Sequence, residues 1–197
     1  MEFLSEQYWN NRYLTNNFGW DIGQISTPFK FYFESLTNKN LRILIPGAGN
    51  SYEAEWLMNA GFKNTFVCDL AKEPLSNLKS RCLIFPDNQL LHSNFFDLNI
   101  EPFDLIIEQT FFCALNPMLR QNYFNKMQSL LKLNGQLVGL LFNTVFDSEK
   151  NGPPYGGNLN EYLNYIKNTT LKVIKMEPCY NSIEPRANRE LFFILQN

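Results

Sequence analysis

One histidine, His92, stands among 197 residues, and the four cysteines, Cys68, Cys82, Cys113 and Cys179, lie far apart with no short pairing. A zinc site needs Cys and His ligands at close spacing, so no metal is expected. No serine lies in a G-x-S-x-G turn, which leaves a hydrolase reading weak. Cys68 and Cys113 sit in apolar surroundings and read as small buried hydrophobes rather than nucleophiles. No apolar run approaches the roughly 20 residues of a membrane span. The opening "MEFLSEQYWNNRY" carries acids where a secretory signal would be basic and then apolar, and a cytoplasmic protein is expected. Seventeen Lys and Arg against nineteen Asp and Glu give a net charge of −2, without the basic surplus that nucleic acid or an anionic membrane requires.

What is present is an alternation of strands and helices from about residue 41. "LRILI" is a short apolar run ending in a glycine turn, and Ser51 is placed to cap a helix over "YEAEWLMNAG" that stops at Gly61. "TFVCD" reads as a second strand, Pro74 suits the first turn of the next helix, and "QLLHS" reads as a third strand. "FDLIIEQ" is apolar enough to be buried on both faces. From Leu119, Tyr123, Met127, Leu130 and Leu131 recur at helical spacing, with "LNG" ending that helix before the strand "QLVGLLF". "LKVIKME" and "ELFFILQ" are separated by a turn-rich segment, which predicts an antiparallel pair at a sheet edge. The expectation is one α/β domain over 1–197: a Rossmann-like, doubly wound, seven-stranded and mostly parallel sheet with an antiparallel C-terminal strand and helices on both faces. An aromatic cap, 1–40, leans on the core of 41–197, and "NGPPYGG" at 151–157 reads as a loop.

In an open α/β sheet, ligands bind outside the carboxyl ends of the strands, and the turn "PGAGNS" stands at such an end. A dinucleotide site wants a third glycine where this chain has Tyr52, and a phosphate loop wants G-K-[ST], which does not follow. What remains is a ligand with an adenosine and no phosphates, S-adenosylmethionine. Asp69 ends the second strand 22 residues after Gly47, where a carboxylate accepts both ribose hydroxyls, although such an Asp can also simply cap the next helix. Asn94 is placed to accept from the adenine amino group and Phe95 to flank the base; the competing reading makes Asn94 a turn residue and Phe95 core.

The run "FDLIIEQTFFCALNPMLRQNYFNKMQSLLKLNGQLVGLLF", followed by "GPPYGG", resembles the thiopurine S-methyltransferase family, and most of all its branch of plant thiol and halide methyltransferases. "GWDIGQISTP" and "PRANRE" are similar to further phrases of that branch, so the resemblance covers nearly the whole chain. It implies S-adenosylmethionine as donor, with Trp9, Tyr13 and Trp20 as an aromatic lid, Gly47 and Gly49 as the close turn and Asp69 on the ribose. Asn94 and Phe95 would contact the adenine, and Gln109 would face the methionine end. Tyr13 replaces a Trp, Asn94 an Asp and Gln109 a Tyr of the plant enzymes, the last at a position that bears on the acceptor.

A sulfonium donor wants aromatic faces and an aligned nucleophile, with no covalent catalyst. Thiolates and halides already carry a reactive lone pair, so the lack of an evident general base is consistent with a small, soft acceptor. Candidates for the acceptor side are Glu108, as a base or as a backbone orienter, Tyr155 in "GPPYGG", and Arg186 or Arg189 for an anionic acceptor. Pro178-Cys179 lies too far downstream to be a carbon-methylating nucleophile. The alternatives are an O- or N-methyltransferase of the same fold and a donor-binding protein without turnover; a monomer is expected.

Overall fold

The computed structural model describes residues 4–146 and 152–197, and Asn151 of the expected 151–157 loop and residues 1–3 of the cap lie outside them. The chain divides into two compact units, Met1–Asn99 and Ile100–Asn197. The first contains α1 (Glu6–Leu14), α2 (Thr27–Glu34), β1 (Ile43–Pro46), α3 (Tyr52–Asn59), β2 (Thr65–Asp69), α4 (Lys72–Arg81) and β3 (Leu90–His92). Its strands are parallel in the order β3-β2-β1, with Ile45 beside Val67 and Asp69 beside His92. All of β1 and β2 is buried, which is why both read as unbroken apolar runs.

The cap owes its helices to local signals. Ser5 accepts the Tyr8 N–H at 3.2 Å and starts α1, while Pro28 lies in the first turn of α2. Phe29 and Phe33 of α2 are fully buried, Phe33 lying 5.8 Å from Trp56 of α3. The Ser26 N–H donates to Glu53 Oε1 at 3.0 Å, so the start of α2 is satisfied by a carboxylate of α3.

The second unit contains β4 (Phe103–Gln109), α5 (Arg120–Ser129), β5 (Leu131–Phe142), α6 (Leu159–Ile166), β6 (Lys172–Pro178) and β7 (Glu190–Gln196). β4 and β5 are parallel, and β7 runs antiparallel to both β5 and β6 in the order β4-β5-β7-β6. The C-terminal hairpin expected from the sequence is therefore present, with its second strand inserted next to β5. Phe112, Tyr123, Phe124 and Tyr162 pack ring against ring in its core, at centroid distances from 4.9 to 5.6 Å.

Three local expectations need correction. Ser51 precedes α3 but caps nothing with its side chain, because its backbone is left-handed (φ 54°) and its hydroxyl turns back to the Ala48 carbonyl at 3.0 Å. "LNG" does not end α5: that helix stops at Ser129, and Asn134 (φ 62°) makes a bend within β5, where the pairing with β4 shifts register. α6 is absent from the sequence-based pattern, although Asn158 accepts the Glu161 N–H at 3.0 Å as an N-cap. Tyr162 and Ile166, its buried residues, lie four apart on one face.

Gly139 of β5 sits between Glu108 of β4 and Phe193 of β7. A Cβ there would stand 2.5 Å from Glu108 Cβ and 2.7 Å from the Phe193 ring, and neither neighbour is a flexible tip. Gly139→Ala is expected to cost about 3 kcal/mol or more by forcing two strands apart. Gly19→Ala, which meets nothing within 4 Å, should stay within about 0.5 kcal/mol of wild type when both variants are unfolded in urea.

Candidate functional site

The turn after β1 is built on backbone conformations that a side chain resists. Gly47 (φ 57°), Gly49 (φ 52°) and Ser51 (φ 54°) are all left-handed, which glycine tolerates and serine adopts at a cost. Neighbouring β2 stabilises this shape. The Ala48 N–H donates to the Cys68 carbonyl at 3.2 Å, and the Gly49 N–H donates to Asp69 Oδ2 at 2.9 Å. Asp69 Oδ1 accepts the Ala71 N–H at 2.8 Å, so one carboxylate shapes both the glycine turn and the entry to α4. Burial pushes the Asp69 carboxyl up to about 6, against the backbone N–H groups that favour its charged form.

The aromatic residues of the cap gather over this turn. Tyr13 is buried, and its hydroxyl lies 3.0 Å from where a Cβ on Gly49 would be. A side chain at 49 would crowd that hydroxyl and resist the left-handed backbone. Trp20 hydrogen-bonds the Tyr13 hydroxyl and stands edge-on to Tyr13 and Trp9 at centroid distances of 5.8 and 5.7 Å. The Arg12 guanidinium lies 4.9 Å from the centre of the Trp20 ring. Asn10 Oδ1 accepts the Glu73 N–H at 2.9 Å and Glu6 pairs with His92 at 3.0 Å, tying α1 to α4 and to the end of β3.

Asn94 and Phe95 follow β3. Asn94 is exposed and its side-chain oxygen accepts the Phe96 N–H at 3.1 Å, while Phe95 is buried with its ring edge-on to Phe96 at 5.3 Å. Of the nine residues assigned to the donor, eight thus belong to the first unit and cluster at the ends of β1, β2 and β3 or in the cap. Gln109 is the exception, half-buried at the end of β4. The first-unit residues fit a nucleoside joined to a sulfonium. Glycines without Cβ allow close approach, a buried carboxylate is available to hydroxyls, and aromatic rings can face a cation.

In the second unit Glu108 has no solvent exposure, and its carboxylate is surrounded by donors. Oε1 accepts the N–H groups of Phe111 and Phe112, each at 2.9 Å, and Oε2 accepts the Tyr123 hydroxyl at 2.6 Å. Burial raises the carboxyl to about 7 in spite of these bonds. They hold a turn in which Thr110, a β-branched residue, is left-handed at φ 57°. A cavity of about 10 Å³, bordered by Glu108, Thr110, Cys113 and Glu190, has room for about one water molecule and not for an organic acceptor. The Tyr155 N–H donates to the Cys113 carbonyl at 2.7 Å. Arg186 is buried 3.7 Å from Glu190, and Arg189 is exposed. Sequence reasoning missed Arg120, which is buried and bonded to Glu161 at 2.5 Å and to the Gly156 carbonyl at 2.6 Å. It also missed Asn50, whose one signal was a polar residue inside a glycine turn.

The chain is 28% identical over 175 residues to the probable thiol methyltransferase 2 of Arabidopsis thaliana, covering 87% of this chain and 76% of that protein. It is 25% identical over 198 residues to thiocyanate methyltransferase 1 of Brassica oleracea, covering 96% and 84%. Among solved structures, the 1,6-didemethyltoxoflavin-N1-methyltransferase of Burkholderia thailandensis, crystallised with S-adenosylhomocysteine, superposes with a TM-score of 0.74. That match has 14% identity and covers 98% of this chain and 86% of the other; it shows the fold, a Rossmann-like, mostly parallel sheet with an antiparallel C-terminal strand. Residues 4–191 match the family model described as thiopurine S-methyltransferase, and the chain belongs to that family of S-adenosylmethionine-dependent methyltransferases.

Proposed function

We propose that the chain, acting as a single domain over 1–197, transfers a methyl group from S-adenosylmethionine to a small soft nucleophile: a thiol, thiopurine, bisulfide or halide. The observation that carries this is the left-handed glycine turn, whose Gly49 N–H is held by buried Asp69 beneath the Tyr13 hydroxyl. The plant relatives named for thiol and thiocyanate support a sulfur acceptor. When bound, the donor supplies an electrophilic methyl on a positively charged sulfur. Trp9, Tyr13 and Trp20 present aromatic rings to that charge, each contributing roughly 0.5 to 2 kcal/mol. Gly47 and Gly49 admit the donor to the backbone, and Asp69 is assigned to the ribose hydroxyls. Asn94 and Phe95 are assigned to the adenine and Gln109 to the methionine end, as the resemblance implies.

A soft acceptor also suits what the other groups do. Glu108 has its oxygens occupied by two amides and a phenol, which makes it an orienter of the turn after β4 rather than a base. His92 is engaged by Glu6 and the Leu70 carbonyl. Positioning and exclusion of water then supply the acceleration. Tyr155, Arg186 and Arg189 remain assigned to the acceptor side. No helix among the described residues is long and apolar enough to cross a membrane. A cytoplasmic monomer that binds no nucleic acid is part of the same proposal.

Labelled S-adenosylmethionine with a panel of thiols, bisulfide, iodide and thiopurines tests the reaction. Turnover confined to oxygen or nitrogen acceptors would refute the soft-nucleophile assignment. Donor affinity should fall as pH drops below about 6, because protonating Asp69 removes an acceptor for the ribose. Calorimetry should find that Asp69→Asn weakens binding by on the order of 1 to 3 kcal/mol and abolishes this pH dependence.

Glu108 makes folding stability itself depend on pH. With its carboxyl raised from 4.5 to about 7, the native state keeps a proton that the unfolded chain has released between those values. The stabilisation is therefore complete below about pH 4.5 and is lost as pH rises through about 7. Urea unfolding at pH 5 and pH 8 should differ by on the order of 1 to 3 kcal/mol, and Glu108→Gln should remove most of that difference.

A further inference from the structure

Asn50 lies inside the glycine turn with only 8% of its surface exposed, and both ends of its side-chain amide are engaged. Its Nδ2 donates to Asp21 Oδ2 at 2.5 Å, and its Oδ1 accepts from Asn77 Nδ2 on α4 at 3.0 Å. Its backbone carbonyl accepts from Arg81, which also pairs with Glu55 at 2.9 Å. Asp21 directly follows Trp20. Its other oxygen, Oδ1, accepts the Gly23 N–H at 2.6 Å and closes a tight turn there. One amide thus connects the Trp20 segment of the cap, the glycine turn and α4.

We propose that Asn50 is a positioning residue for donor binding, the joint that sets the Trp20 segment against the glycine turn; this rests on the donor-site reading above. The chemistry at 50 calls for a side chain that both gives and receives, which an amide does from two separate atoms. Asp21 offers only acceptors and Asn77 presents a donor, so residue 50 must give one hydrogen bond and receive another. The bond to Asp21 is charge-assisted and about twice as strong as a neutral one, and it is made by the residue adjacent to Gly49. A disturbance at 50 therefore reaches two features of the donor site at once, the ring of Trp20 and the Gly49 N–H that is bonded to Asp69. Purely hydrophobic packing of the cap would give no reason for this specific donor and acceptor order.

That order permits a swap. In Asn50→Asp the carboxylate faces that of Asp21 with no proton between them. In the double variant Asn50→Asp/Asp21→Asn every bond is kept with the roles reversed. Asn at 21 accepts the Gly23 N–H and donates to position 50, whose second oxygen still accepts from Asn77. Binding of S-adenosylmethionine and S-adenosylhomocysteine would be measured by calorimetry at pH 8, with thermal melting of each variant. Asn50→Asp should weaken both ligands about tenfold or more, and the double variant should return to within about threefold of wild type. Unchanged affinity in Asn50→Asp, with or without a lower melting temperature, would overturn the assignment, as would a folded double variant as weak as the single one. Should Asn50→Asp fail to fold, the double variant alone decides, by the same threefold and tenfold limits. A wild-type chain that binds neither ligand would overturn the donor-site reading itself, whereas wild-type binding with an indifferent Asn50 would overturn only the joint.

Discussion

The hydrogen bond from the Gly49 N–H to the Asp69 carboxylate is the constraint on which the first unit's site depends. Parallel strands end with backbone groups that the next element must satisfy, and left-handed residues in a turn cannot do so by continuing the strand. A buried carboxylate solves both problems, since it offers four lone pairs where the backbone offers only donors. Its cost is desolvation, visible in the raised Asp69 carboxyl. The second unit repeats the device at the end of β4. There Glu108 takes two backbone N–H groups and a tyrosine hydroxyl, and holds a turn strained at Thr110. Both units place an acid at the carboxyl end of a strand, and in both the acid organises backbone first.

The cap is attached differently. Its internal cohesion is aromatic, but its attachments to the rest of the first unit include single polar contacts: Asn10 to the Glu73 N–H, Glu6 to His92, and Asp21 to Asn50. Contacts of this kind are directional and contribute about 1 kcal/mol at most, less for the exposed Glu6–His92 pair, so they fix orientation more than they add stability. Phe29 and Phe33 of α2 provide the apolar anchoring, in contact with α3. The division is functional: the part of the cap nearest the glycine turn is held by bonds that specify geometry, and the part farther along by burial.

The sequence made the strands legible because parallel strands buried on both faces are continuous apolar runs, and "TFVCD" and "FDLIIEQ" coincide with β2 and β4 residue for residue. The C-terminal hairpin was readable from the lack of a helix between its strands. α6 was overlooked because its eight residues follow a proline-glycine loop and make only about two turns. Ser51 misled because serine before a helix normally caps it, whereas here the left-handed backbone of the glycine turn points the hydroxyl backwards. In the candidate site, Gly47, Gly49 and Asp69 stood out through type and spacing, and Trp9, Tyr13 and Trp20 through the family resemblance. Asn50 and Arg120 did not, because their importance lies in partners 27 to 41 residues away that only folding brings near. Glu108 was visible as an acid at a strand end, but its two possible roles differ by burial, which one sequence does not display.

The near-perpendicular packing of Trp9 on Trp20, with rings 5.7 Å apart at 80°, has an optical consequence. Two indoles that close share their electronic transitions, and because the rings are not coplanar the shared excitation is chiral. The cap therefore carries a built-in spectroscopic signature in the near ultraviolet, sensitive to small changes in the angle between two residues eleven positions apart. The third indole, Trp56, is packed against Phe33 at 5.8 Å. It serves as an internal reference, so the rings proposed to meet a sulfonium can also report on it without any attached dye.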